Sequence, residues 1–151
     1  MVKGDVAGAS AAMAEIAAKG GGYGLLARLE EASLKVKAGD RAGAVKIYDS
    51  LAADDSASRP FRDLATILSV TVSLDSAEPA SLSQKLQPLA APGQAFRPSA
   101  LELQGLLALR KGDFKAAKQS FRGLADEPDA PRSMRQRATQ ILAWIGERGG
   151  A

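Results

Sequence analysis

Histidine, cysteine and asparagine are absent from the 151 residues. Without the first two there is no imidazole base, no thiolate nucleophile and no ligand set of the usual zinc or iron–sulfur kinds. Serine and aspartate are plentiful, yet no triad of the common type assembles without a histidine base, and Ser99 and Ser133 read as helix caps. The expectation is therefore a non-enzyme with no catalytic residue, no bound cofactor and no metal. Missing cysteine leaves the redox compartment open, because a chain without thiols is indifferent to oxidation. Aromatic residues make up only 5% of the chain while alanine is abundant, so the core must come from close approach of small side chains on helices. No apolar run reaches the roughly 18 residues that span a bilayer. Met1 to Lys19 also lacks the uninterrupted apolar segment of a signal peptide.

What is present is the composition of one globular domain over residues 1–151, with 46% hydrophobic and 25% charged residues. The net charge of +3 is spread along the chain, without the dense basic stripe and interleaved aromatics of a nucleic-acid binder, so no nucleic-acid partner is expected.

A turn, Gly-Asp, followed four residues after the Asp by Ala, occurs three times: Gly4-Asp5 with Ala9, Gly39-Asp40 with Ala44, and Gly112-Asp113 with Ala117. The spacings are 35 and 73 residues, and 73 is 38 plus 35, which places one degenerate unit in between with its turn near Ala77. Sliding the sequence by 38 and then 35 aligns Tyr23, Phe61 and Phe96; Ala27, Ala65 and Ala100; Tyr48, Leu86 and Phe121; and Leu51, Leu89 and Leu124. A further step of 38 lands on Met134, Ala138, Ala143 and Gly150.

Each unit resolves into two helices of apolar period 3.6. First helices are expected over Tyr23–Ala38, Phe61–Leu74, Pro98–Lys111 and Arg132–Gly146, and second helices over Arg41–Ala53, Pro79–Leu89 and Phe114–Ala125. The turn glycine ends one helix in the left-handed conformation, and Asp40 or Asp113 accepts from the orphan amides that open the next. Arg110 and Lys111 suit the negative end of a first helix. In the middle unit Pro79 takes the first helical position instead. Small residues stand where paired helices cross: Ala32, Gly105, Ala44 and Ala117. The expected architecture is all-α, a helical-hairpin solenoid: a half repeat (5–18), hairpins over 23–53, 61–89 and 96–125, and a capping helix over 132–146.

Gly105, Gly112, Phe114, Ala117, Phe121 and Leu124 stand at the small, turn, aromatic and apolar positions of the tetratricopeptide repeat, which the chain resembles. More narrowly, the run from Tyr23 to Ala32, the segment Leu86-Gln-Pro-Leu-Ala90, and Ser99 to Gly105 followed by Lys111-Gly-Asp-Phe114 resemble the repeat domain of bacterial inner-membrane proteins of the YfgM type. That resemblance implies a domain on the periplasmic face of the inner membrane, behind an N-terminal anchor, with translocon, chaperone or envelope-assembly proteins as partners. The alternatives are a cytosolic tetratricopeptide adaptor in a multiprotein complex and an accessory domain of an enzyme. Gly4-Asp5 at a mid-repeat position marks residues 5–18 as a second helix whose first helix is missing. The apolar face of Ala9, Met13 and Ile16 is then expected to fray or to pair with a second copy as a homodimer.

An arginine follows the aligned bulky residue in three units, as Arg62, Arg97 and Arg135, with Gly24 at that place in the first. A cation near a helix N-terminus opposes the macrodipole, so compensation is expected. The bland form is a salt bridge to a loop acid such as Asp54, Asp55 or Asp129; the sharper form is a ladder of donors for acidic partner segments. Lys115, Lys118 and Arg122 form a basic stripe that reads as a solvated helix face. Leu26, Leu29, Leu64, Ile67, Leu106 and Leu109 lie on first helices, which line the concave face in the tetratricopeptide family. Arg62, Arg97, Arg135, Leu26, Leu29, Leu106 and Leu109 are thus the candidate protein-binding residues. A tetratricopeptide carboxylate clamp requires two asparagines and is excluded here.

Overall fold

A computed structural model describes residues 6–18 and 20–148. Gly4-Asp5 and Gly150, which the repeat reading used, lie outside them. Among the described residues the chain is all-helical, with eight helices and no strand. It divides into two compact units, one ending at Ser73 and the other beginning at Leu74. That boundary falls inside the degenerate middle repeat, between its two helices.

The first unit contains α1 (Val6–Ala18), α2 (Gly21–Lys37), α3 (Arg41–Ala52) and α4 (Arg59–Ser73), each packed on the next. Its core gathers Ala32, Ala44 and Tyr48, with Leu29, Val36, Ile47, Leu68 and Val72 against them. The second unit contains α5 (Pro79–Leu86), α6 (Arg97–Arg110), α7 (Phe114–Ala125) and α8 (Arg132–Arg148). Here α6 packs on both α5 and α7, and α8 closes over α7 and α6. Phe121, Leu124, Ala117, Ala138 and Ile145 form its centre.

The aligned positions carry the same burial in each unit. Ala27, Ala65 and Ala100 are buried, as are Tyr48, Leu86 and Phe121, and Leu51, Leu89 and Leu124. The small residues expected at crossings, Ala32, Ala44, Gly105 and Ala117, are buried as well.

Both Gly-Asp turns are built alike. Gly39 and Gly112 have φ of 86° and 73°, in the region glycine enters without strain. The amides of Asp40 and Asp113 reach back to the carbonyls of Lys35 and Ala108, each at 2.9 Å, closing the preceding helix in a Schellman pattern. Their carboxylates then accept from the Gly43 amide at 2.8 Å and the Ala116 amide at 2.9 Å, opening the following helix. Asp113→Ala is expected to cost about 1 kcal/mol through loss of this cap, read as a lower denaturation midpoint, whereas Asp113→Asn should cost less.

The middle turn follows a different mechanism, with Pro79 in the first turn of α5 and Glu78 as N-cap, accepting from the Ala80 amide at 3.1 Å. The helix expected to reach Leu89 stops at Leu86, because Pro88 has no amide to give the Gln84 carbonyl. Conversely, α8 runs past Gly146 to Arg148, since that glycine has φ in the helical range and nothing forces a stop. Ser99 and Ser133 lie inside the first turns of α6 and α8 and are not caps; the N-cap of α6 is Phe96, which makes no side-chain capping bond.

The N-terminal helix does not stand off. It packs on α2, with Ala9 and Met13 partly covered and Ile16 the exposed member of that face. The approach is close at Gly24, where a β-carbon would lie 3.1 Å from the Ala17 carbonyl oxygen. The first unit thus has glycine at a tight approach where the others have arginine.

Candidate interaction surface

The arginines that follow the bulky aligned residue are spoken for. Arg62 Nη1 lies 2.9 Å from Asp55 Oδ1, one of the loop acids expected to compensate it. Arg97 Nε pairs with Glu127, and its Nη1 also donates to the Ala90 carbonyl. Arg135 Nη1 donates to the Pro128 carbonyl at 2.9 Å and, more weakly, to that of Glu127 at 3.4 Å, so Asp129 is not its partner. In each case the guanidinium ties the start of a first helix to the loop that precedes it.

Three further arginines make longer-range contacts. Arg28 spans from α2 to Asp54 at 2.8 Å and Ser50 at 2.6 Å. Arg110, expected to act on the dipole of its own helix, instead donates to the carbonyls of Leu74 and Ala77 at 2.6 and 2.7 Å. Arg137 reaches Glu102 on α6 at 2.8 Å. These contacts join residues 22 to 36 apart in sequence, and no local pattern announces them.

Of the leucines on first helices, Leu29 packs against the core of the first unit, and Leu106 and Leu109 against that of the second. Leu26 is different, being 52% exposed, and Tyr23, one turn earlier on the same face, is 83% exposed. The aligned Phe61, Phe96 and Met134 are half-buried. Three glycines, Gly20-Gly21-Gly22, precede Tyr23. A cleft of about 320 Å³ is lined by these glycines with Arg28, Asp54 and Ser56, but the polar groups at its wall already satisfy one another.

On α7, Lys115 and Arg122 are exposed and Lys118 is half-buried. None of the three has an ion-pair partner among the described residues. At the start of the same helix the Phe114 ring meets that of Trp144 from α8, with centroids 6.5 Å apart and planes tilted by 56°. Both rings are partly open, at 39% and 42% exposure.

Two carboxyls sit below their ordinary range. The Ser56 hydroxyl, then Arg28, then the Ser56 amide hold Asp54 down, and the Gly43 amide followed by Lys35 does so for Asp40. A depressed folded-state value means stability that is fully present above the unfolded value and is lost as pH falls through the folded one. Asp54→Asn should therefore flatten the acid limb of a curve of urea midpoint against pH, while leaving the neutral-to-alkaline limb parallel to that of the parent protein.

Among the described residues no helix is long and apolar enough to cross a membrane, and no group of three or more acidic side chains is placed to hold a metal ion. Comparison with curated proteins and with solved structures finds no match. A family model described as a tetratricopeptide repeat-like domain matches residues 2–141. Two compact sets of paired helices, Gly-Asp turns of one construction and equivalent burial at aligned positions agree with that match. The chain belongs to the tetratricopeptide repeat-like domain family, whose members are typically non-catalytic modules that bind other proteins.

Proposed function

We propose that the chain is a protein-interaction scaffold of the bacterial periplasm, held at the inner membrane in its full-length form, that engages translocon, chaperone or envelope-assembly proteins. The match to a tetratricopeptide repeat-like domain over most of the chain carries the scaffold part of this reading. The periplasmic setting rests on the resemblance of the Tyr23–Ala32, Leu86–Ala90 and Ser99–Phe114 segments to the YfgM type.

The binding surface in this reading includes Leu26, with Tyr23 beside it, as apolar contact area that the first unit does not use for its own core. Arg62, Arg97 and Arg135 contribute by holding the loops in place. Leu29, Leu106 and Leu109 support the helices that carry it.

The test is photo-crosslinking in cells, with the reactive residue placed at Leu26, Arg62, Arg97 and Arg135 of the natural full-length protein. The expected products join it to envelope proteins, and fractionation puts it in the inner membrane with the repeat domain open to periplasmic protease. Crosslinks exclusively to cytosolic proteins would replace this reading with a cytosolic adaptor.

A further inference from the structure

We infer that the edge of α7 carrying Lys115, Lys118 and Arg122, together with the Phe114–Trp144 pair, is a docking site for an acidic protein segment bearing a bulky apolar side chain. The inference rests on the scaffold reading and gives it a partner chemistry. The site lies on the second helix of its hairpin and on the closing helix.

Three observations carry it. First, the cations recur at i, i+3 and i+7, which places them along one side of a helix over about 10 Å. Second, they are unlike the arginines at 28, 62, 97 and 137, each of which meets a carboxylate. Lys115, Lys118 and Arg122 have no such partner among the described residues, so the charge here is offered outward. Third, the row ends at two half-open aromatic rings stacked at an angle, a surface that takes an apolar side chain at little cost in entropy.

Size decides what the occupant is. The apolar face of α7 is spent on the core through Ala117, Phe121 and Leu124, so no broad apolar face remains for a bilayer. A nucleic acid would call for a wider basic surface than one short row in a chain of net charge +3. A few carboxylates and one anchoring side chain fit the row and the ring pair.

Trp144 is the only tryptophan, so its emission reports on this site. The full chain is titrated with a short synthetic peptide of glutamates flanking one phenylalanine and one leucine. A saturable change in emission is expected, weakened by added salt and absent with glutamines in place of the glutamates. In a Lys115→Glu, Arg122→Glu variant the dissociation constant should rise about tenfold or more, and Phe114→Ala should weaken binding at unchanged circular dichroism. Lys118 is kept because it is half-buried. No saturable response, or one unchanged by the charge reversal, overturns the inference. So does a response to phosphatidylglycerol vesicles or a DNA duplex where the peptide gives none. Crosslinked envelope partners alongside a silent peptide would leave the scaffold reading standing and remove only this site.

Discussion

Phe121→Ala is expected to lower the unfolding free energy by about 3–5 kcal/mol, the usual loss for truncating a fully buried phenylalanine. Phe121 has no exposure at all and sits at the centre of the second-unit core. The cavity it leaves cannot refill easily, because the backbone of α6 is already close at Gly105. A β-carbon on Gly105 would stand 2.6 Å from the Phe121 Cζ, against a ring with no free space to swing into. Gly105→Ala in the parent protein should therefore destabilise by about 1–3 kcal/mol through overpacking, despite alanine's better helix propensity. In the Phe121→Ala background the obstacle is gone, and the same change should be neutral or stabilising by up to about 1 kcal/mol. Urea denaturation of the four proteins forms a double-mutant cycle. Additive losses would mean that ring and glycine do not meet as described.

Arg97→Ala comes next in size, with an expected loss of about 1.5–3 kcal/mol, the range for hydrogen bonds to charged groups. The guanidinium joins Glu127, only 13% exposed, to the Ala90 carbonyl, and removing it strands a mostly buried carboxylate. The aligned Arg62 supplies the control. Its partner Asp55 is 97% exposed, and Arg62→Ala should cost about 0–1 kcal/mol. Equal losses at the two positions would refute the account, since Arg97 differs from Arg62 in the burial of its acid and in its added bond to the Ala90 carbonyl. Glu127→Gln should recover part of what Arg97→Ala loses, because the amide tolerates the absence of a cation.

The helices were legible because repetition multiplied weak local signals. A single Gly-Asp pair is a common turn, but Gly39-Asp40 and Gly112-Asp113 at compatible spacing, with Ala44 and Ala117 behind them, fix where helices stop and start. Burial at Ala65, Ala100, Leu86 and Leu124 follows from the same alignment. Partners of charged groups were less so. Asp55 for Arg62 was within reach of inspection, seven residues away, whereas Glu127 for Arg97 is 30 residues away and depends on how α7 ends. Arg110 shows the limit most clearly, because its partners are the main-chain carbonyls of Leu74 and Ala77, which no residue type marks. The exposure of Tyr23 was hidden for a related reason. Tyr23 is 83% exposed where its aligned neighbours are half-buried, a difference that the alignment does not carry.

The glycine at position 24 bears on how far this chain can be treated as a set of exchangeable parts. Repeats of one family invite shuffling, and the alignment of Tyr23 with Phe61 and Phe96 suggests that a later hairpin could be moved to the front. The Ala17 carbonyl opposes it as the sequence stands, because the transplanted hairpin would bring Arg62 or Arg97 to a place where a β-carbon has only 3.1 Å, so that α1 would have to give by a few tenths of an ångström. The first hairpin is thus fitted to α1 at Gly24, and a designer extending the array should insert new units after it and leave the α1–α2 junction untouched.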